Sequence, residues 1–260
     1  MAILKGLETT FNNVYAEYDK WRPTYVSELY EDIMEYKEIN PSSKVLEVGI
    51  GTGQATLPIL EKGCSLTAIE LGDKLAEYTK QKFSNYNNLS IKNIAFQDYQ
   101  CQPNSYDMIY SATAFHWIPE ELGYKKVYEM IKSGGIFARF ANHPYKDKGR
   151  EDMDSAIQEV YSEYMSASTL RPEYSEEQCK ELADISKKYG FVDVEYKLYH
   201  RTRTFTSQEY IYLLGTYSDH IAIEETKRKV FFNKIKNIID SYGGKITIYD
   251  TIDLQLARKP

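Results

Sequence analysis

Residues 45–56 read VLEVGIGTGQAT, and the fold turns on how that stretch is read. An apolar run stops at three glycines on alternate positions, Gly49, Gly51 and Gly53, with the acid Glu47 two places upstream of the first. Glycine tolerates positive φ and leaves out the side chain that would hold a ligand away from the backbone. A glycine-rich turn between a strand and a helix is a device by which open parallel sheets bind nucleoside cofactors, beyond the carboxyl ends of their strands. The next strand supplies a second signal. SLTAIE (65–70) ends in Glu70, 21 residues after Gly49. An acid about 20 residues on is the spacing that binds ribose hydroxyls.

The same alternation continues on both sides of this unit. KVLEVG (44–49), SLTAIE, LSIKNIAF (89–96), YDMIYS (106–111) and IFARFA (136–141) read as buried strands. Between them, QATLPILEKG (54–63) reads as a helix closed by Gly63, and DKLAEYTKQKFS (73–84) as a helix with Asp73 at its N-cap. PEELGYKKVYEMIKS (119–133) reads as a helix opened by Pro119. Strands alternating with helices imply right-handed βαβ units and a doubly wound, mostly parallel α/β sheet.

The flanks differ from this core. Residues 1–40 look helical, with Tyr25, Leu29, Ile33 and Met34 on one apolar stripe, and residues 146–190 hold two more helical stretches. VEYKLYHRTRTFT (194–206) reads as a strand, SQEYIYLLGTY (207–217) as a short helix, residues 224–243 as a longer one and KITIYDTIDLQLARK (245–259) as a closing strand. The expected organisation is a seven-stranded sheet in four parts: an N-terminal helical lid (1–40), a ligand-binding core (41–142), a helical cap inserted after the fifth strand (143–190) and a C-terminal completion of the sheet (191–260). Lid and insertion are expected to cover the ligand edge.

Composition narrows the function classes. The chain has 260 residues, 42% hydrophobic and 27% charged, which suits a soluble globular protein. A net charge of −6 argues against a nucleic-acid partner. Lys197, Arg201 and Arg203 form a small basic patch, expected to be the exposed face of a strand. Cys64, Cys101 and Cys179 are odd in number and widely spaced, which fits neither a disulfide framework nor a thiolate zinc site. MAILKGLETT has no signal-peptide core and no apolar run reaches the roughly 20 residues of a bilayer span, so the expectation is a cytoplasmic protein without a membrane. The 24 tyrosines should be half-buried packing residues, a few of them lining an aromatic pocket. His143, His200 and His220 are scattered, and no metal is expected.

The glycine motif departs from the dinucleotide fingerprint G-x-G-x-x-G, because the third glycine comes one place early and Gln54 takes the last position. The pattern is E-x-G-x-G-x-G, and at this point the chain resembles class I S-adenosylmethionine (SAM)-dependent methyltransferases of Rossmann-like fold. In them this loop wraps the methionine and ribose portion of SAM. The resemblance implies that Gly49, Gly51 and Gly53 approach the cofactor, that Glu70 with Leu71 beside it holds the ribose, and that Phe96 and Gln97 in IAFQDYQ (94–100) hold the adenine. Asp98 reads as a turn residue. Glu47 suits the cationic amino group of SAM; it suits equally a structural acid bonding the loop's own amides. In YDMIYSATAFHWI (106–118), Ser111 and Ala112 would offer backbone groups to the methionine end. His116 and Trp117 are similar to an H-W pair of the trans-aconitate methyltransferase-like small-molecule subgroup, in which they would line the cofactor pocket. AEYDKWRPTY (16–25) resembles that subgroup's lid through Tyr18, Arg22, Pro23 and Tyr25, with a weaker echo in LLGTYSDH (213–220).

The resemblance implies methyl transfer to a small molecule, S-adenosyl-L-homocysteine being the by-product. In-line displacement with a good leaving group needs alignment in a dry pocket above all. A carboxylate acceptor would need no general base, which suits the lack of a clear catalytic dyad; His116 and Arg22 are the weak catalytic candidates. Arg22 or Arg139 would hold an anionic substrate. Three other readings remain: a nicotinamide oxidoreductase, which the early third glycine disfavours, a methyltransferase for RNA or protein, and a non-catalytic SAM-binding protein.

Overall fold

The computed structural model describes residues 10–165 and 172–260. The first nine residues of the expected lid, and with them nearly all of MAILKGLETT, lie outside the described residues, as do residues 166–171 of the expected insertion.

A 3-10 turn (Thr10–Asn13) leads into α1 (Tyr15–Trp21) and α2 (Ser27–Tyr36). The alternating region follows: β1 (Lys44–Val48), α3 (Leu57–Leu60), β2 (Ser65–Glu70), α4 (Asp73–Lys82), β3 (Leu89–Asn93), β4 (Tyr106–Ala112), α5 (Glu120–Met130) and β5 (Ile131–Tyr145). Then come α6 (Glu151–Tyr164), α7 (Glu176–Asp184), β6 (Val192–Thr206), α8 (Ser207–Leu214), α9 (Ser218–Ile221), α10 (Glu225–Ser241) and β7 (Lys245–Arg258). The seven strands form one sheet in the order β3-β2-β1-β4-β5-β7-β6. Neighbours from β3 through β5 are parallel, and β7 runs antiparallel between β5 and β6. The sheet is therefore doubly wound and mostly parallel, as its alternation predicts, and its order reverses between β1 and β4.

Both faces of the sheet are covered, which is why the central strands are apolar on both sides. Val45 packs with Leu29 and Ile33 of α2 and Ile59 and Leu60 of α3 on one face. Leu46 and Val48 pack with Tyr124 and Val127 of α5 on the other. A separate cluster around Phe231, Ile235 and Ile239 of α10 joins Met153 and Ile157 of α6 to Ile246 and Ile248 of β7. Among the described residues no helix is long and apolar enough to cross a membrane.

Several element boundaries differ from expectation for local reasons. The helix expected over 54–63 shrinks to α3, because the chain is still in turns through Thr56, whose hydroxyl is turned to Glu47. β3 stops at Asn93, whose amide donates to the carbonyls of Glu70 and Leu71. The helix expected to run to residue 133 ends at Met130, and Ile131 already pairs with Tyr106. Asp73 is not the N-cap of α4: Gly72 holds that position and Asn12, from the N-terminal segment, accepts from the amides of Lys74 and Leu75. The basic patch is an exposed strand face only at Lys197, which pairs with Asp32 at the surface; Arg201 and Arg203 turn instead onto Asp250, which is buried.

Candidate functional site

The sheet reverses its order where β1 meets β4, and a cavity of about 270 Å³ opens beyond the carboxyl ends of these strands. Ligands of open α/β sheets bind at such a switch point. Its floor is the turn after β1. The amides of Gly49 and Ile50 both donate to the carbonyl of Ile69, which ties the turn to the end of β2. Gly49, Gly51 and Gly53 all have positive φ. A Cβ on Gly53 would sit 2.4 Å from the ring of Phe83, and one on Gly49 would sit 2.4 Å from Cβ of Ala114. The close approach that removed those two side chains is therefore to the protein's own walls. Gly51 alone is open, with Tyr18 of α1 3.7 Å from where its Cβ would be. Helix α4 stitches the turn from behind: Thr79 donates to the carbonyl of Gly51 at 2.7 Å and Lys82 to that of Thr52 at 2.9 Å.

The two acids sit where the spacing puts them, with partners that spacing does not disclose. Glu70 accepts from the Gly51 amide at 2.9 Å through one oxygen and from the Gly72 amide at 2.8 Å through the other. Each oxygen keeps a further lone pair for a ligand hydroxyl. Burial pushes the Glu70 carboxyl above its ordinary pKa against the pull of those amides. Glu47 is buried on the floor; Tyr110 and Thr56 both donate to its Oε2 at 2.7 Å. Its Oε1 has no partner among the described residues. Desolvation outweighs the two hydroxyls and pushes its pKa up to about 8, so Glu47 is mostly protonated at pH 7. It bonds hydroxyls, not the loop's own amides.

The N-terminal segment closes the cavity from above. Arg22 donates through Nη2 to the carbonyl of Thr216 at 2.7 Å, and its guanidinium lies 4.2 Å from the ring centroid of Tyr217 and 5.1 Å from that of Tyr18. Its Nε is buried without a hydrogen-bond partner among the described residues. A buried donor left unpaired costs about 1–3 kcal/mol, so such a group marks a place where a ligand oxygen belongs. Tyr25 meets Thr113 hydroxyl to hydroxyl at 2.6 Å. Thr113 has φ +53, an uncommon conformation for a β-branched residue, of the kind that clusters at binding sites. Phe11 packs edge-on to Trp117 and Tyr18.

Of the residues singled out by sequence, Arg22, Glu47, Gly49, Gly51, Glu70, Leu71, Phe96, Gln97, Ala112 and Trp117 line this one cavity. Gly53 shapes the turn from beneath. Ser111 is buried and donates to the carbonyl of Val48, so its side chain serves the sheet. His116 follows a 3-10 turn (Phe115–Trp117) that sends it away from the cavity while Trp117 enters it. The residue is exposed, and partial desolvation, with Arg139 and His143 nearby, pushes its pKa down to about 4. Arg139 sits over Phe115 and bonds the hydroxyl of Tyr124, away from the cavity. No described residue of 146–190 lines the cavity, where the insertion was expected to cover it; α6 packs with α10, and α7 packs on β6 and β7. Sequence reading missed Arg203, Asn142 and Thr113, and named Tyr217 only inside the LLGTYSDH echo. No motif marks them, and the alternate spacing of Arg201 and Arg203 was the one trace of a paired function.

Residues 45–135 match the family model described as a methyltransferase domain. The chain is 25% identical over 194 residues to an uncharacterized methyltransferase of Schizosaccharomyces pombe, covering 71% of this chain and 75% of that protein. It is 28% identical over 182 residues to an uncharacterized methyltransferase of Bacillus mycoides, covering 64% and 82%. Among solved structures, Haemonchus contortus phosphoethanolamine N-methyltransferase 2, in complex with phosphomonomethylethanolamine and S-adenosylhomocysteine, superposes with a TM-score of 0.55 at 15% identity, over 96% of this chain and 57% of that one. A protein of Anaeromyxobacter dehalogenans designated a Type II methyltransferase superposes with a TM-score of 0.64 at 18% identity, over 91% and 97%. At these identities the superpositions speak for the fold. The central segment that carries the cavity floor is thus the part of the chain that is similar to a methyltransferase domain.

Proposed function

We propose that this chain is a SAM-dependent methyltransferase that acts on a small molecule in the cytoplasm. The observation that carries the reading is the orphaned Nε of Arg22 above the glycine turn, in a cavity whose floor offers Glu47 and Glu70. The residues present fit the cofactor. Arg22 supplies a buried cation for its carboxylate, the free oxygen of Glu47 an acceptor for its ammonium, Glu70 spare lone pairs for its ribose, and Phe96 with Leu71 an apolar slot for its adenine. SAM, when bound, supplies an electrophilic methyl group on a sulfonium, whose departing thioether needs no proton.

The chain's own part is to bind, align and exclude water. Tyr18, Tyr25 and Tyr217 are half-buried at the cavity wall, and desolvation raises each phenol above its ordinary pKa, so all three stay neutral. No acid–base dyad stands in the cavity among the described residues, which suits an acceptor whose nucleophile is already deprotonated, a carboxylate being the simplest. Residues 1–40 act as the lid and residues 41–142 as the cofactor-binding core; residues 143–190 and 191–260 complete cap and sheet.

Calorimetric titration with SAM, S-adenosylhomocysteine and NADH tests the reading. Uptake of the first two and not the third is expected, and Arg22→Met should weaken uptake about 10- to 100-fold, the range for a buried charged hydrogen bond. Uptake of NADH alone would replace a methyltransferase with an oxidoreductase.

A further inference from the structure

The wall of the cavity formed by Asn142, Pro144 and Arg203 has no part in holding the cofactor as assigned above. Arg203 grips Asp250 in a two-pronged pair, Nε to Oδ2 at 2.5 Å and Nη2 to Oδ1 at 2.9 Å. Arg201 approaches the same carboxylate, with Nε at 3.3 Å and Nη2 at 3.1 Å from Oδ2. Two guanidinium groups thus share one buried carboxylate, and one positive charge is left over. Each nitrogen of the Arg201 guanidinium is engaged: besides the bonds of Nε and Nη2 to Asp250, Nη1 donates to the carbonyl of Thr24 and Nη2 to Oδ1 of Asn142, both at 2.8 Å. That is not so for Arg203. Its Nη1 has no partner among the described residues, and its side chain, 16% exposed, lines the cavity.

Glu47 and Glu70 are the acids that line the cavity, and both belong to the turn that holds the cofactor. The excess charge at Arg203 is thus unanswered within the cavity wall. A guanidinium in a partly dry cavity is recognised best by an oxyanion, and its fork is already pre-set by Asp250. We propose that Arg203 is a specificity-determining residue, whose free Nη1 edge docks an oxyanion carried by the methyl acceptor, with Asp250 and Arg201 as positioning residues. The acceptor is then a small organic acid or phosphate ester, and cationic amines are repelled from the site. Arg22 is left to the cofactor. The proposal rests on the methyltransferase reading above and adds the charge of its substrate.

The test uses the full chain, methyl-labelled SAM and a small-molecule cell extract split into anion-exchange-retained, cation-exchange-retained and neutral fractions. Label is expected in products from the anionic fraction. Defined mono- and dicarboxylates and phosphomonoesters, assayed separately, then tell a carboxylate from a phosphate. For the acceptor found, Arg203→Met should raise KM at least 10-fold with a much smaller change in kcat, and Arg203→Lys should recover part of the loss. S-adenosylhomocysteine uptake by both variants should match the parent, which shows that the cavity is intact, since Arg201 still neutralises Asp250. Label confined to the neutral or cationic fraction overturns the proposal and leaves the methyltransferase reading standing. So does a KM indifferent to Arg203→Met. Failure of the parent chain to take up S-adenosylhomocysteine, or to label any fraction, removes both.

Discussion

One wall of the cavity is local and the other is assembled from afar. Gly49, Gly51, Glu47 and Glu70 come from a single strand–turn–helix–strand unit, and their neighbours in space are their neighbours in sequence. Arg22, Asn142, Arg203 and Tyr217 come from the N-terminal segment, the end of β5, the end of β6 and the loop after α8. The local wall is held by backbone hydrogen bonds and steric fit, so it tolerates little change. The distant wall is held by side-chain contacts between segments, so its chemistry can vary while the sheet beneath persists. That difference explains why the domain match ends at residue 135 while much of the distant wall lies outside it.

The sharpest way to break the comparison is to substitute within the local wall. Gly53→Ala places a methyl 2.4 Å from the Phe83 ring at φ +84, against a ring packed in the core. Left-handed strain and overpacking together should cost about 3 kcal/mol. For a chain of this size that lowers Tm by about 5–10 °C, read by calorimetry or circular dichroism. Gly51→Ala meets nothing closer than Tyr18 at 3.7 Å, so only its φ of +56 should cost, about 1–2 kcal/mol. Equal losses at the two positions would show that the turn is held by backbone conformation alone and not by packing.

These two glycines also show how far the sequence could be read. The spacing of three glycines and the acid at residue 70 placed the turn, the sheet and the cofactor end, because each signal is carried by residues a fixed number of bonds apart. It could not tell which glycine faces a ligand and which faces Phe83, since that depends on where α4 packs. Ser111 was expected to offer its backbone, and strand pleating turns its side chain inward to Val48. His116 and Trp117 part ways, Trp117 entering the cavity wall and His116 not, because consecutive residues of a 3-10 turn point about 120° apart. Arg201 and Arg203 read as a solvated face, since Asp250 meets them only when β7 pairs with β6. The approach of the N-terminal segment to the cavity was legible through Arg22 and Tyr25, but its docking on α4 through Asn12 was not.

A second test asks whether the floor is electrostatically poised for a cation. Glu47 has its pKa raised from 4.5 to about 8, so the folded state holds a proton that the unfolded state has lost over that window. Its contribution to stability is present below about pH 4.5 and is lost as pH rises through 8. Stability of the ligand-free protein should therefore fall between about pH 4.5 and 8, and Glu47→Gln should flatten that fall. An ammonium beside Oε1 favours the ionised form, so cofactor uptake at pH 7 should release a proton, and affinity should rise up to tenfold per pH unit below 8. Calorimetry in buffers of different ionisation enthalpy counts that proton. No release at pH 7 would mean that Glu47 stays neutral in the complex and that the ammonium binds elsewhere.

The smallest effect should come from the joint between the two walls. Asn12 caps α4 from outside the helix, accepting from Lys74 and Leu75 and donating to Asp73. The same helix holds the glycine turn through Thr79 and Lys82, and Lys82 with Tyr78 also holds Asp19 of α1. Ordering the N-terminal segment and ordering the cofactor floor are thus coupled through one helix. Asn12→Ala removes a cap worth about 1 kcal/mol. Because the cap is shared, that loss should divide between a slightly lower Tm and a faster opening of the N-terminal segment. Limited proteolysis near residues 10–25 should quicken about fivefold without cofactor and return toward the parent rate when S-adenosylhomocysteine is saturating. Cofactor that leaves the cleavage rate unchanged would show that the lid and floor close independently, and would make the distant wall a fixed roof, not a moving one.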